Sequence, residues 1–250
     1  MGIQELAADN SIITLPGQLG YRRTADSLWV TEALGKAGVT EVLLGSDGAT
    51  AAEIPTLRQP RGWSFDGGDQ INCGDDDDFS FTTGAADEAF SLAARVRLAD
   101  MSNNYAIIAK ASALSAGEYY MYAANNGEVI ARVVDNTAAA RRGRRTTSQV
   151  LWPGIDQTVI FTCDGGNPPT LGIWVTPPGG GAPVQVDNAN SNSGAYVRMY
   201  NTGDDLKIGS GAGLNDFSGD IIVPMVFDWE LSPTEIEALA EIMRRTAGIP

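Results

Sequence analysis

The feature that most constrains this chain is a two-residue period of apolar side chains, repeated in short runs and broken by turn clusters. Phe90, Leu92, Ala94, Val96 and Leu98 take alternate positions, with Ser91, Ala93, Arg95 and Arg97 between them. In an extended strand that spacing sends the first set to one face and the second set to the other. Further runs of strand length stand at 105–110, 118–123, 129–134, 158–163, 171–175, 206–208 and 221–229. Between them lie Asn125-Asn126-Gly127, Asp164-Gly165-Gly166-Asn167, Pro177-Pro178-Gly179-Gly180-Gly181 and Asn201-Thr202-Gly203-Asp204. Such clusters turn a chain because Gly and Asn tolerate positive φ and Pro presets its own. No helical periodicity alternates with the runs, which argues against a parallel α/β sheet and for an all-β sandwich or barrel.

One helix is signalled at the end. Ser232-Pro233-Thr234-Glu235 reads as a capping box, with Ser232 as N-cap, proline at the first helical position and Glu235 three residues after the cap. Ile236, Leu239, Ala240 and Met243 follow at i, i+3, i+4 and i+7, a stripe that predicts a docked helix over 233–246. Arg244 and Arg245 suit its negative C-terminal end, and Gly248 can close it.

Residues 1–60 differ from the rest. Apolar runs at 11–15 and 39–44 are isolated by Pro16-Gly17, Gly45-Ser46-Asp47-Gly48 and Pro55. A few short strands bury too little surface to fold alone. The segment is therefore expected to be an anchoring or assembly arm, packed on the domain formed by 61–250 or on another chain. Ile12, Ile13, Leu15, Trp29, Val42 and Leu43 are its candidate docking residues.

Several segments, taken in order, carry a resemblance. Trp63-Ser64-Phe65-Asp66-Gly67-Gly68-Asp69 looks like an opening core strand written aromatic, Asp, Gly, then a second Asp. Phe90-Ser91-Leu92-Ala93-Ala94-Arg95-Val96 looks like F-T-[IL]-x-x-W-V, with Arg95 at the usual aromatic position. Ile107-Ile108-Ala109-Lys110, the 159–165 run ending in Asp164-Gly165, and Asp205-Leu206-Lys207-Ile208-Gly209 follow. Phe217-Ser218-Gly219-Asp220-Ile221 and Leu231-Ser232-Pro233-Thr234-Glu235-Ile236 close the series. Over residues 62–243 the chain resembles the laminin-G-like, or concanavalin-A-like, jelly-roll family of lectins and glucanases. The resemblance implies an all-β, antiparallel jelly-roll β-sandwich with a short C-terminal helix and an N-terminal extended arm, a fold used for binding and display. Ile222-Val223-Pro224-Met225 departs from the Asp-Glu that the family often carries before its last strand, and Pro224 implies an edge or a bulge there.

Charge and residue usage narrow the function. The 31 acidic residues outnumber 17 basic ones, for a net charge of −14. An acidic surface repels phosphate backbones and anionic lipid, so neither nucleic acid nor membrane is an expected partner. The first residues have no basic n-region and no apolar h-region of a secretory signal, and no run reaches the length of a membrane span. The chain has no histidine. Ser-His-Asp and Cys-His catalysis and histidine-held zinc or iron are thereby excluded. No strand offers the E-x-D-x-(x)-E pair of a glycoside hydrolase, and Asp228 and Glu230, beside the helix cap, are expected to be solvated. Asp75-Asp76-Asp77-Asp78 is expected to be a solvated turn, since consecutive acids rarely converge on one cation. Relatives of the fold carry a rim calcium, for which Asp66, Asp69, Asp204 and Asp205 are dispersed alternatives; no metal or other cofactor is expected. Cys73 and Cys163 sit in apolar, strand-like runs and are expected to be buried free thiols.

Two segments stand out as binding candidates. Arg141-Arg142-Gly143-Arg144-Arg145 concentrates positive charge in an acidic chain, and is expected to be an exposed loop that docks an acidic partner, a second copy of the chain included. No aromatic interleaves these arginines, which disfavours nucleic acid. The Asn-rich stretch 188–194, flanked by Tyr196 and Tyr200, is the candidate sugar-contact loop, with Asn190, Asn192, Tyr196 and Tyr200 as its residues. Trp152 and Trp174 are further rings able to stack on sugars, although strand aromatics usually belong to the core. The leading expectation is a non-enzymatic display protein, a virion decoration or fibre-type component joined through its arm to capsid or tail subunits or to itself. Its expected location is a virion, otherwise the cytoplasm. The alternative is a carbohydrate-binding, lectin-like module that meets cell-surface glycan, and the second alternative a degenerate glycoside hydrolase.

Overall fold

The structure, a computed structural model, describes residues 56–58, 62–186 and 189–246. The described strands are β1 (Thr56–Arg58), β2 (Gly62–Asp66), β3 (Ile71–Asn72), β4 (Phe90–Leu98), β5 (Tyr105–Lys110), β6 (Tyr119–Ala123) and β7 (Val129–Asp135). They continue as β8 (Ala140–Arg145), β9 (Gln157–Cys163), β10 (Leu171–Val175), β11 (Val184–Gln185), β12 (Ala189–Asn190), β13 (Leu206–Ile208) and β14 (Ser218–Phe227). Helix α1 (Pro233–Thr246) follows. Sheet A runs β1-β2-β14-β4-β9-β10-β11 and sheet B runs β12-β8-β7-β6-β5-β13-β3, with neighbouring strands antiparallel. This is an antiparallel jelly-roll β-sandwich with one C-terminal helix. No helix among the described residues is long and apolar enough to cross a membrane.

The two-residue period builds the core. Phe90, Leu92, Val96 and Leu98 of β4 meet Tyr119 and Met121 of β6 and Val129 and Val133 of β7, all buried in one cluster between the sheets. Phe90 is its hub: its ring stacks on Phe81 at 4.5 Å, tilts against Tyr119 at 4.9 Å and meets Phe161 edge-on at 5.7 Å. Such ring pairs each add about 0.5–1.5 kcal/mol beyond the area they bury. Cys73 and Cys163 are both buried in the same cluster.

The other face of β4 differs from its sequence pattern. Ser91, Ala93 and Arg95 are buried as well, because Ile236, Leu239 and Met243 of α1 pack into the cluster that holds Ala93 and Ile160. The capping box that starts this helix is formed, with Ser232 N–H donating to Glu235 Oε2 at 2.8 Å and Glu235 N–H to Ser232 Oγ at 3.4 Å. Ser91 Oγ ties the approach to it, donating to the Trp229 carbonyl and accepting from Leu231 N–H. In β14 the ladder slips between Ile222 and Met225. Pro224 stands inside that bulge, where its missing N–H removes no ladder bond, and Val223 absorbs the bend at φ 49°.

The acidic run is more than a solvated turn. Lys110 is fully buried, and its Nζ lies 2.6 Å from Asp75 Oδ1, 3.1 Å from Glu118 Oε1 and 2.7 Å from the Asp204 carbonyl. Glu118 Oε1 also accepts from Ser80 Oγ and Thr202 N–H. Asp76 Oδ1 caps the short 3-10 turn at 77–79 by accepting from Asp78 N–H, and Asp77 takes Asn201 Nδ2 at 2.8 Å. A buried ammonium demands counter-charge, and this turn supplies part of it. Burial pushes the Glu118 carboxyl above its ordinary range, and the Lys110 charge pulls it partly back.

Candidate functional site

The outer face of sheet B is assembled by register. Tyr119, Met121 and Ala123 point into the core, so Tyr120, Tyr122 and Ala124 point away from it, and they form a second cluster with Ala109, Ala111, Ile130, Val134 and Ala212. Leu114 and Leu214 pack on this cluster from two loops. Across the sheet, Tyr120 stands opposite Arg132, Arg132 opposite Gly143, and Gly143 accepts the Ser191 N–H on its carbonyl. One row of this face thus aligns a fully buried phenol, a half-buried guanidinium, a bare backbone and a half-buried hydroxyl.

Gly143 makes the row workable. A Cβ there would collide with Arg132 Cγ and stand 2.8 Å from the Ala131 carbonyl. Without one, Arg132 lies across the strand and donates from Nε (3.0 Å) and Nη2 (2.6 Å) to Ser191 Oγ. Its Nη1 donates to the Tyr120 hydroxyl at 3.1 Å, and that hydroxyl donates to the Leu114 carbonyl at 3.0 Å. Arg141 Nη1 donates to the same carbonyl at 3.3 Å. A continuous polar chain therefore runs from Ser191 through Arg132, Tyr120 and Leu114 to Arg141.

Neither Arg132 nor Arg141 meets a carboxylate among the described residues. The Nε of Arg141 is buried and has no hydrogen-bond partner among the described residues. Burial pushes the Tyr122 hydroxyl up, and the Arg132 and Arg141 charges oppose the shift. Tyr120 and Tyr122 hold their rings 6.0 Å apart, and Arg132 sits 6.0 Å from the centre of the Tyr120 ring.

Two segments singled out in the sequence meet here. The arginine run is a strand, β8, where a loop is expected from sequence: a stretch with no apolar alternation becomes a strand because β7 supplies its ladder partner. Its side chains divide between faces, Arg141 and Arg145 outward with Gly143, Arg142 and Arg144 on the other side. Arg142 Nε caps the Pro169 carbonyl at 2.6 Å, and Arg145 is exposed. The Asn-rich stretch lies along β8, with Arg144 Nη1 on Asn190 Oδ1 at 2.7 Å and Gly143 N–H on Asn192 Oδ1 at 3.0 Å. Tyr196 stands apart from this row, its ring against the main core and its hydroxyl on Asp87 Oδ2 at 2.6 Å. One side of Tyr200 is covered by Arg198, whose guanidinium lies 4.7 Å from the ring centre. Trp174 is partly buried against the core, whereas Trp152 is exposed on the loop after β8.

Ile12, Ile13, Leu15, Trp29, Val42 and Leu43 lie outside the described residues. At the end of that segment β1 pairs with β2, adding an edge strand to sheet A. Asp69 Oδ2 accepts the Asp66 N–H, Asp205 accepts from Asn72 Nδ2, and no group of three or more His, Cys, Asp or Glu among the described residues is placed to hold an ion. Asp228 and Glu230 are exposed. The signal for the outer face was in the sequence, in Tyr120 and Tyr122 two apart with Arg132 and Arg141 on the next strands. What it lacked was the register that aligns them.

The chain matches no protein-family model and no curated protein by sequence. Its fold does match solved structures. The CBM40 of the Ruminococcus gnavus IT-sialidase, bound to α2,3-sialyllactose, aligns with a TM-score of 0.51 and 14% identity, over 72% of this chain and 96% of that one. Domain 4 of AbnA, a GH43 extracellular arabinanase from Geobacillus stearothermophilus in complex with arabinotriose, aligns with a TM-score of 0.50 and 12% identity, over 72% and 76%. The receptor-binding domain of the botulinum neurotoxin mosaic serotype C/D gives a TM-score of 0.51 and 12% identity, over 76% of this chain but 44% of that one. At these identities the likeness is one of fold. The class it defines is the antiparallel jelly-roll β-sandwich.

Proposed function

We propose that this protein is a non-enzymatic carbohydrate-binding module whose ligand face is the outer surface of sheet B. The observation that carries the reading is the Ser191–Arg132–Tyr120–Leu114–Arg141 polar chain laid over a rigid sheet beside two tyrosine rings. Such surfaces bind sugars because hydroxyls exchange directional hydrogen bonds with fixed partners, and here the buried Tyr120 and Tyr122 rings back the half-buried polar groups that would make them. Two neighbours of the same fold hold saccharides, sialyllactose in one and arabinotriose in the other, which supports the reading. Its non-enzymatic half is supported by the missing histidines and by the exposure of Asp228 and Glu230 beside the helix cap.

A glycan array probed with the full chain tests the proposal. Saturable binding is expected for a restricted set of oligosaccharides, weakened several-fold by Tyr122→Phe, which removes only a hydroxyl. A chain that binds no saccharide on the array, or whose binding is unchanged by that substitution and by Arg132→Ala, overturns it.

A further inference from the structure

Resting on the reading of this face as a saccharide site, we infer that its ligand carries an anionic group, a carboxylate or a sulfate, seated between Arg132 and Arg141. The chain holds 31 acidic residues against 17 basic ones, so counter-ions for a half-buried arginine are abundant. Lys110 and Arg244 both have carboxylate partners. Arg132 and Arg141 have none among the described residues, and their hydrogen bonds go to a hydroxyl, a phenol and a carbonyl.

Neutral acceptors orient a guanidinium without cancelling its charge. Each guanidinium has five N–H donors in one plane. Arg132 commits three nitrogens to Ser191 and Tyr120 and is thereby fixed in place. Arg141, half-buried, commits only Nη1, to the Leu114 carbonyl, so its Nη2 keeps donors without a partner among the described residues. Such an uncommitted donor on a partly desolvated cation calls for an acceptor from outside the chain. A planar or tetrahedral oxyanion meets it best, because guanidinium N–H groups match paired oxygens. The Tyr122 side chain belongs to the same face, and its hydroxyl, which has no hydrogen-bond partner among the described residues, can donate to an adjacent ring hydroxyl.

The overall charge sharpens the inference. At −14 the molecule repels anions in general. Binding of an acidic sugar to it must therefore come from a local arrangement and not from a diffuse field.

Titration calorimetry on the full chain separates the outcomes, with galacturonate oligomers and hyaluronan tetrasaccharide as carboxylate probes, heparin tetrasaccharide as the sulfate probe, and cello- and arabino-oligosaccharides as neutral ones. Preference for one acidic class is expected, and the better arm identifies the anion. Arg141→Gln is expected to weaken that binding about ten-fold or more, the loss of one charge-assisted contact, with the unfolding midpoint unmoved; Arg141→Lys, which keeps the charge, falls between. If only neutral sugars bind, and Tyr122→Phe weakens them while Arg141→Gln does not, the anion inference is overturned and the saccharide face stands. Acidic sugars bound equally by wild type and both Arg141 variants overturn it as well. If no probe of any class binds, the saccharide reading falls with it.

Discussion

Lys110 and the Arg132–Arg141 pair are cations of one jelly-roll sheet treated in two ways, the first fully buried and the second half-buried. Lys110 is fully buried and answered on the spot by Asp75 and Glu118. The arginines, on the outer face of the same sheet, are held by neutral oxygens only. The first arrangement closes its electrostatics within the fold and pins the 75–78 turn and the 202–204 loop to β5. The second leaves the guanidinium charges without a carboxylate among the described residues. Structure and the proposed ligand recognition are thus separated on one sheet: the compensated cation stabilises, and the uncompensated ones are the candidates to bind.

The largest expected effect comes from breaking the compensated site. Lys110→Met strands Glu118 in the interior and should cost about 3–5 kcal/mol in denaturant unfolding, the usual result of orphaning one member of a buried pair. A loss under about 1 kcal/mol would erase the distinction drawn here. The pH dependence has a definite sign. Burial holds Glu118 above its ordinary pKa, so the folded state binds that proton more tightly than the unfolded chain does, and the stability it contributes falls as pH rises past the unfolded value. Removing the Lys110 charge enlarges the shift. The Lys110→Met penalty should therefore be clearly smaller near about pH 5 than near about pH 8. A penalty independent of pH would mean that Glu118 is not the stranded charge.

An intermediate effect is expected at Gly143. Gly143→Ala drives a methyl group into Arg132 and toward the Ala131 carbonyl, at a cost of about 1–3 kcal/mol in thermal unfolding. It should displace Arg132 from Ser191, so saccharide affinity ought to drop together with stability. Arg141→Gln sharpens the contrast from the other side, with a stability change under about 0.5 kcal/mol and a large loss of binding. Trp152→Ala should do least. The ring is 43% exposed on a loop, and neither stability nor saccharide binding at sheet B should move measurably.

How much of this was legible in the sequence depended on whether a residue's surroundings were local. The strands 105–110, 171–175 and 206–208 end where their apolar runs end, and helix 233–246 begins at its own capping box. Strand β8 was not legible, because Arg-Arg-Gly-Arg-Arg has no alternation and becomes a strand only through β7. Nor was the role of Asp75, whose partner lies 35 positions away. The candidate site was visible in pieces. The arginine run and the Asn-rich stretch both pointed to it, but the row they complete needs Tyr120 and Arg132, which local pattern marks only as strand residues. The arm residues proposed for docking belong to a segment outside the described residues, and the virion role expected from them remains a separate proposal.

The most direct measurement follows the two guanidiniums themselves. The account predicts that the Arg132 and Arg141 Nε–H resonances shift saturably as the best-binding oligosaccharide is titrated into isotopically labelled protein, while the Arg244 resonance, paired with Glu241 on α1, stays still. Saturable binding that leaves Arg132 and Arg141 unmoved and instead shifts resonances around Trp152 or α1 would contradict it.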